Sequence, residues 1–127
     1  MSLTEVRTDS APKAIGPYSQ AIRAGNLLFV SGQIPLDPTS GNIVGDSIES
    51  QTERVMKNLL GVLESVGLTS NRIAKTTVYL SDMGLFARFN EVYGKFLKAP
   101  YPARATIQVA RLPKDVMVEV EAVAVFP

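Results

Sequence analysis

The sequence of 127 residues contains no cysteine, no histidine and no tryptophan. The missing cysteines exclude disulfide bonds, zinc–thiolate sites and a cysteine nucleophile. The missing histidines exclude a Ser-His-Asp triad, imidazole metal ligands and an imidazole general base. Any catalysis by this chain therefore has to use carboxylates, hydroxyls, arginine, lysine, backbone groups and water.

An excess of charge of one sign is also lacking. Thirteen Lys and Arg residues oppose twelve Asp and Glu residues, for a net charge of +1. A dedicated nucleic-acid-binding domain usually carries a basic stripe, and here the basic residues are spread along the chain. The sequence has no phosphate-binding glycine-rich loop and no dinucleotide fingerprint. We therefore expect no nucleic-acid partner, no cofactor and no metal.

Long apolar runs are absent as well. No segment approaches the roughly 20 apolar residues that a membrane span needs, and residues 1–12 lack the apolar centre of a secretory signal. These features predict a cytoplasmic protein without a membrane partner, with a mitochondrial location left open. The length and the 46% hydrophobic content predict a single domain over residues 1–127.

The hydrophobic patterning predicts two helices and five strands. The order β-β-loop-α-β-α-β-β is typical of an α+β fold with both helices on one face of a mixed sheet. Asp46 or Ser47 is expected to cap the first helix, with Glu49 completing a capping box and Gly67 ending the helix. The continuously apolar segment 27–30 predicts a strand buried on both faces. The predicted strands cover residues 18–23, 27–31, 72–80, 103–110 and 116–126, and the predicted helices cover residues 46–67 and about 82–97.

The last predicted strand has two different faces, because side chains alternate along a strand. One face is apolar throughout and is assigned to the helices: Val116, Val118, Val120, Ala122, Ala124 and Phe126. The other face mixes apolar and acidic side chains: Met117, Glu119, Glu121, Val123 and Val125. A large exposed apolar patch is unusual on a monomer, so this second face is a candidate subunit interface. A partly exposed strand end is the alternative.

Two groups of polar side chains on the last strands are candidates for chemistry. Arg104 offers a planar fork that matches a carboxylate, and Thr106 and Gln108 share its strand face. The alternative, which the sequence alone favours, is a surface strand face with a structural ion pair. Glu119 and Glu121 share one strand face about 6–7 Å apart and are suited to general acid–base work or to holding water. Alternatively, Glu121 pairs with a cation and Glu119 is solvated.

Further candidates lie beside glycines and on the second helix. Tyr18 and Ser31 carry hydroxyls next to Gly16 and Gly32, where backbone amides can approach a ligand closely. Ordinary turn chemistry is the alternative explanation. Asn90 interrupts the apolar face of the second helix, as an amide does when it contacts a ligand or satisfies a buried group.

Five separated motifs together resemble the Rid family, the reactive intermediate deaminases. This family is also called YjgF and has long been described as a translation inhibitor or endoribonuclease. The resemblance covers essentially the whole chain, in the order of the family's motifs. They are residues 15–21 (IGPYSQA), 29–35 (FVSGQIP), 101–104 (YPAR), 109–113 (VARLP) and 118–122 (VEVEA).

The resemblance implies a chorismate-mutase-like fold and a homotrimer whose three sheets face a central barrel, with sites between subunits. It also implies an enzyme that hydrolyses enamine and imine intermediates such as 2-aminoacrylate and 2-iminopropanoate to a 2-keto acid and ammonia. Such an enzyme is a 2-iminobutanoate/2-iminopropanoate deaminase, a hydrolase acting on C–N bonds. Two alternatives remain: a regulatory module that binds small carboxylates, and an RNA-cleaving translation inhibitor.

Residue roles follow from the same resemblance. Arg104 matches the arginine that holds the substrate carboxylate, and Glu119 matches the glutamate that positions or activates water. Tyr18 matches a pocket position that orients substrate or relays protons. The remaining matches are expected to contact substrate: Ser31, Gly32, Asn90 and Thr106. Some members of the family have cysteine where this chain has Thr106, so a required cysteine nucleophile is excluded here.

Overall fold

The computed structural model of the chain describes residues 2–127 as one six-stranded mixed sheet with two α-helices. The sheet order is β1-β2-β3-β6-β4-β5, in which only the β4–β5 pair is parallel. The predicted α+β class with a mixed sheet is therefore confirmed. The elements are β1 Leu3–Val6, β2 Ala21–Ala24, β3 Leu27–Gln33, α1 Ile48–Ser65, β4 Ile73–Leu80, α2 Phe86–Lys95, β5 Ala103–Gln108 and β6 Val118–Val125.

A serine pair starts α1. The Ser47 hydroxyl accepts a hydrogen bond from the backbone N–H of Ser50, and the Ser50 hydroxyl accepts one from the Ser47 N–H. The predicted Ser47 cap is therefore confirmed, whereas the predicted box of Asp46 and Glu49 is wrong, because serines fill both box positions one residue later. Glu49 instead accepts two hydrogen bonds from Arg88 of α2, at 2.8 and 2.7 Å. That ion pair joins the two helices at their solvent-exposed side.

Both helices cover the same face of the sheet. In β6 the predicted inward set is buried, from Val118 at 0% exposed to Phe126, just beyond the strand, at 8%. The alternate residues of β4 join the same core, and Thr76 adds a hydroxyl that hydrogen-bonds the Tyr93 hydroxyl of α2 at 2.7 Å. The two helices and the alternating strands therefore close one hydrophobic core, as the strand pattern predicts.

The opposite face of the sheet is uncovered. Phe29 and Ile107 point out from this face, and each is 45% exposed. The prediction that residues 27–30 are buried on both faces is wrong within one chain, because Leu28 and Val30 face the helices while Phe29 faces the open side. We refer to this side, which also carries Tyr79, Glu119 and Glu121, as the open face.

Several element boundaries differ from those predicted. The strand β1 is not anticipated by the sequence, because only Val6 of its four residues is buried and its pairing with β2 is tertiary. The strand expected from residue 18 begins at Ala21. A single turn of 3₁₀ helix over Met83–Leu85, capped by the Asp82 side chain, precedes α2. No helix among residues 2–127 is both long and apolar enough to span a bilayer.

Two buried side-chain amides hold the N-terminal segment and the segment before β6 in place. Gln20 is 5% exposed and donates hydrogen bonds to the carbonyls of Thr8, Ala11 and Pro12 while accepting one from the Thr8 N–H. Gln51 of α1 accepts a hydrogen bond from the Met117 N–H at 2.8 Å. Because buried polar groups are costly unless paired, these bonds hold the N-terminal segment and the entry to β6 in place.

Candidate active site

Arg104 lies on the helix-covered face at the edge strand β5. It stands beside Thr76 of β4, and its guanidinium lies 5.3 Å from the Phe86 ring centroid and 5.1 Å from that of Tyr93. Its Nη1 donates a hydrogen bond to Asn90 Oδ1 at 2.8 Å. The aromatic rings and the amide restrain the arginine, which remains exposed and able to hold a carboxylate through its other N–H groups.

Thr106 is two residues further along the same face of β5. Its hydroxyl oxygen is buried and has no hydrogen-bond partner within residues 2–127. A buried hydroxyl without a partner is unusual in folded proteins. The structure thus brings Arg104, Asn90 and Thr106 to one side of α2 and β5, which we call the arginine group.

Glu119 lies on the open face, where it is half-buried against Gly32. A Cβ atom added to Gly32 would stand 1.9 Å from Glu119 Oε2. The register of β3 on β6 shifts between Val30 and Gln33, so Ser31 and Gly32 form an irregularity at the point where the carboxylate approaches. Only glycine leaves room for the carboxylate at this position.

Ser31 is part of this irregularity, and Tyr18 lies beside it. The Ser31 hydroxyl donates a hydrogen bond to the Ser19 carbonyl at 2.5 Å, and its N–H donates to the Gln20 carbonyl at 3.0 Å. Tyr18 is 53% exposed and shares with Gly32 the lining of a cleft of about 260 Å³. We call Tyr18, Ser31, Gly32 and Glu119 the glutamate group.

The electrostatics of the glutamate group are set by two neighbours on the open face. Tyr79, opposite Glu119 in the β4–β6 register, donates a hydrogen bond to Glu121 Oε1 at 2.5 Å. This bond raises the pKa of Tyr79 to about 12. Burial, and then the charge of Glu121, raise the pKa of Glu119. A carboxyl with a raised pKa both accepts and returns protons near neutral pH more readily than an ordinary one.

The predicted site residues therefore form two groups on opposite faces of the sheet. The sequence indicated that Arg104 and Thr106 share a face and that Glu119 and Glu121 share a face, and the structure confirms both statements. Within residues 2–127 Glu121 has no ion-pair partner, contrary to one alternative, and it accepts a hydrogen bond from the Tyr79 hydroxyl. Tyr79 is not among the predicted site residues, although alternation with the apolar Val78 and Leu80 indicates that it faces away from the helices.

The support around Arg104 is not predicted from the sequence either. Phe86 and Tyr93 fit the apolar face of the second helix, and nothing in the sequence indicates an arginine above their rings. Nothing in the spacing between α2 and β5 gives that contact. No group of three or more acidic side chains converges within the part of the chain that the structure describes.

The fold and the site define a class of protein: an α+β chain with a restrained, exposed arginine on one face of its sheet and a half-buried glutamate on the other. The sequence model of the family described as "Endoribonuclease L-PSP" matches residues 8–126. The chain belongs to this family, whose members include the Rid and RutC proteins.

Individual relatives agree with that assignment. A RutC family protein of Pyrococcus horikoshii is 53% identical over 92% of this chain and 93% of its own length. Reactive Intermediate Deaminase A, chloroplastic, of Arabidopsis thaliana is 47% identical over 94% of this chain and 64% of its own length. The crystal structure of Escherichia coli TdcF with bound serine superposes with a TM-score of 0.91, at 41% identity over 98% of this chain and 99% of that one.

Proposed function

We propose that this chain, acting as one domain, hydrolyses reactive enamine and imine intermediates derived from amino acids to 2-keto acids and ammonia. Its substrates on this proposal are 2-aminoacrylate, its tautomer 2-iminopropanoate, and 2-iminobutanoate. The observation that carries the proposal is the pair of chemically matched groups: an exposed arginine fork held by Asn90 and a half-buried carboxyl with a raised pKa at Glu119. The family membership supports it.

The two groups are usable together only if they come from different subunits. Arg104 and Glu119 lie on opposite faces of the sheet, so one chain cannot close both on a molecule of three or four carbons. The open face also exposes Phe29 and Ile107 at 45% each, which favours burial against further copies. We therefore propose a homotrimer whose active sites lie between subunits, with the arginine group of one chain facing the glutamate group of the next.

The proposed reaction needs only these side chains and water. The Arg104 guanidinium binds the substrate carboxylate and fixes the imine carbon near Glu119. The Glu119 carboxylate accepts a proton from water as the oxygen bonds to that carbon. Because the imine nitrogen is already protonated, this attack gives a neutral carbinolamine. The same proton then passes from Glu119 to the carbinolamine nitrogen and ammonia leaves as the C–N bond breaks. The hydroxyl proton passes to the Glu119 carboxylate as the C=O bond of the keto acid forms, and the departing ammonia takes it up as ammonium. Tyr18, at the mouth of the cleft, orients the substrate or carries a proton.

The remaining residues of the two groups shape the pocket. Ser31 and Gly32 form the irregularity in β3 against which the Glu119 carboxylate lies, and the missing side chain of Gly32 lets that carboxylate approach the backbone. Thr106 carries a buried hydroxyl that has no hydrogen-bond partner within residues 2–127, and on this proposal it turns toward the bound molecule. Asn90 acts on the carboxylate through Arg104.

The direct test generates 2-aminoacrylate with a pyridoxal-phosphate dehydratase acting on serine and follows keto-acid and ammonia release. We expect the wild-type chain to raise the rate above buffer and Arg104→Ala to lose about 10²–10³-fold in kcat/KM, the usual effect of truncating one partner of a charged pair. Lys98→Ala, an exposed cation after α2, serves as the matched control. A wild-type rate equal to buffer would overturn the proposal.

A binding module without turnover is the second candidate. The TdcF structure holds serine, an amino acid whose carboxylate is of the kind that an arginine binds. On this alternative the chain binds small carboxylates through Arg104, and no imine is consumed. Two results together support this alternative over the deaminase. Calorimetry should show that the wild type binds a small carboxylate and that Arg104→Ala does not, and the wild-type rate of imine hydrolysis should equal that of buffer.

RNA cleavage is kept as a control measurement because the family carries an endoribonuclease description. The balanced charge of the chain disfavours the phosphate neutralisation that gives RNA affinity. A steep loss of RNA binding with rising salt, together with cleavage that needs Glu119, is the result that favours it.

A further inference from the structure

We propose that Lys13 and Lys114 form a second anion-binding site in the cleft next to Tyr18 and Gly32, so that among imines long enough to enter the cleft the site favours those with an acidic side chain. The proposal rests on the proposed function, because it assigns the substrate class of the same site.

The cleft combines apolar walls with two ammonium groups. Its volume is about 260 Å³, and it is lined by Tyr18 and Gly32 of the glutamate group. No aspartate or glutamate is among its lining residues. The apolar part is suited to an aliphatic stem, and the ammonium groups to a terminal anion. The residues concerned are Ile15, Ile34, Leu36 and Pro113 on the apolar side and Lys13 and Lys114 on the cationic side.

The backbone at Lys114 is in a conformation that lysine adopts at a cost. Its φ is 56° and its ψ 20°, and the next residue, Asp115, has a φ of 57°. These are the two non-glycine residues with positive φ in the range 2–127. Such conformations persist when the surrounding structure imposes them, and they cluster at functional sites. Glycine or asparagine suits such a position better than lysine.

Asp115, the acidic residue next to Lys114 in the sequence, is already paired with another cation. Asp115 accepts two hydrogen bonds from Arg111, at 2.6 and 3.1 Å. Lys114 Nζ donates one long hydrogen bond, 3.5 Å, to the Gly41 carbonyl. Within residues 2–127 neither Lys13 nor Lys114 has a carboxylate oxygen within 4.0 Å. The cleft therefore holds two ammonium groups that lack an ion-pair partner among the described residues, and these groups attract an anion.

The proposed substrate pose connects the cleft to the reacting atoms. With the α-carboxylate on Arg104 of a neighbouring subunit and the imine carbon beside Glu119, a side chain directed past Tyr18 and Gly32 enters the cleft. A short methylene chain then packs on the apolar walls, and its terminal carboxylate approaches the two lysines.

Binding of two matched keto acids tests the site without turnover. 2-Oxoglutarate and 2-oxopentanoate have the same chain length and differ in the terminal carboxylate, so calorimetry at low ionic strength isolates its effect. We expect the wild-type chain to bind 2-oxoglutarate about tenfold more tightly, as two partly solvated ion pairs allow. The double variant Lys13→Gln/Lys114→Gln should bring the ratio to about one, and Lys98→Gln should leave it unchanged. Equal wild-type affinities, or a ratio that survives the double variant, overturn the proposal.

A second variant separates function from folding. Lys114→Gly removes the charge and relieves the left-handed backbone, so we expect the ratio of affinities to fall and Tm to rise by about 2–4 °C. A lower Tm contradicts the argument that the position is held under strain, and an unchanged ratio contradicts the site itself.

Turnover distinguishes this inference from the proposed function. If the chain deaminates 2-aminoacrylate but binds both keto acids equally, the deaminase stands and the acidic specificity fails. If the tenfold ratio is observed while no imine is consumed, the anion site stands and the deaminase fails.

Discussion

Arg104 and Glu119 project from opposite faces of the same sheet. Arg104 stands beside Thr76 under α2, whereas Glu119 stands opposite Tyr79 on the open face. The residue that would bind the substrate carboxylate and the residue that would handle its water are thus separated by the sheet itself. A site that uses both has to be completed by another copy of the chain.

The open face is expected to be the trimer interface. Ile107→Asp places a charge on that face at a side chain that is 45% exposed in the single chain, and desolvating it on association is costly. Sedimentation equilibrium should give about 41 kDa for the wild type, three chains of 13.7 kDa, and a smaller mass for the variant.

Met83→Asp is the control for that experiment. Met83 is 38% exposed and lies in the turn before α2, where its N–H donates to Gln108 Oε1 on the helix-covered face of β5. The control should remain trimeric. A wild type that sediments as a monomer contradicts the assembly.

Features of this arrangement that depend on neighbouring residues in the sequence could be predicted, and features that depend on tertiary contacts could not. The alternation along β6 separated Val118 and Val120 from Glu119 and Glu121 correctly, because the period of a strand is a local property. The strand β1 and the exposure of Phe29 depend on which elements pair and how many layers cover the sheet. The stacking of Arg104 on α2 is likewise tertiary, so the sequence supplied the residue but not its surroundings.

Gly32 is predicted to control the position of the Glu119 carboxylate. Gly32→Ala places a Cβ 1.9 Å from Oε2 and 2.8 Å from Cδ, and the flexible carboxylate has to move to make room. We expect kcat to fall at least tenfold while Tm changes by only a few degrees, as measured by dehydratase-coupled kinetics and thermal melts.

The matched control is Gly94→Ala in α2, where an added Cβ meets nothing within 4 Å. This change should stabilise the helix by about 0.5–1 kcal/mol and leave kcat unaltered. A Gly32→Ala variant with wild-type kcat contradicts the role given to the glycine.

The charge of Glu121 is predicted to tune Glu119. Glu121 contributes to the raised pKa of Glu119, so Glu121→Gln should lower that pKa. Because the Glu119 carboxylate is the form that accepts the water proton, the acidic limb of the kcat profile should move to lower pH in the variant. An NMR titration of the Glu119 carboxyl provides the same measurement without turnover, and an unchanged midpoint contradicts the coupling.

The raised pKa of Glu119 also has a consequence for stability. A group that binds its proton more tightly when folded favours the folded state below its unfolded pKa, and that contribution is lost as the pH rises through the folded pKa. The contribution is therefore lost over a pH window that runs from the ordinary glutamate pKa of 4.5 up to the raised pKa of the folded state. The free energy of unfolding of Glu119→Gln should equal that of the wild type below this window and exceed it above the window. Urea unfolding at several pH values provides the measurement. Equal stability at all pH values contradicts the buried, unfavourable charge.

The most direct test of the account is complementation between two inactive variants. Arg104→Ala and Glu119→Gln are each expected to be nearly inactive alone. Unfolded together in equal amounts and refolded, they should form mixed trimers in which about a quarter of the sites pair an intact arginine with an intact glutamate. We predict that the mixture regains about a quarter of the wild-type activity, whereas Arg104→Ala mixed with Arg104→Gln regains none. A mixture that stays as inactive as its components would contradict a site shared between subunits.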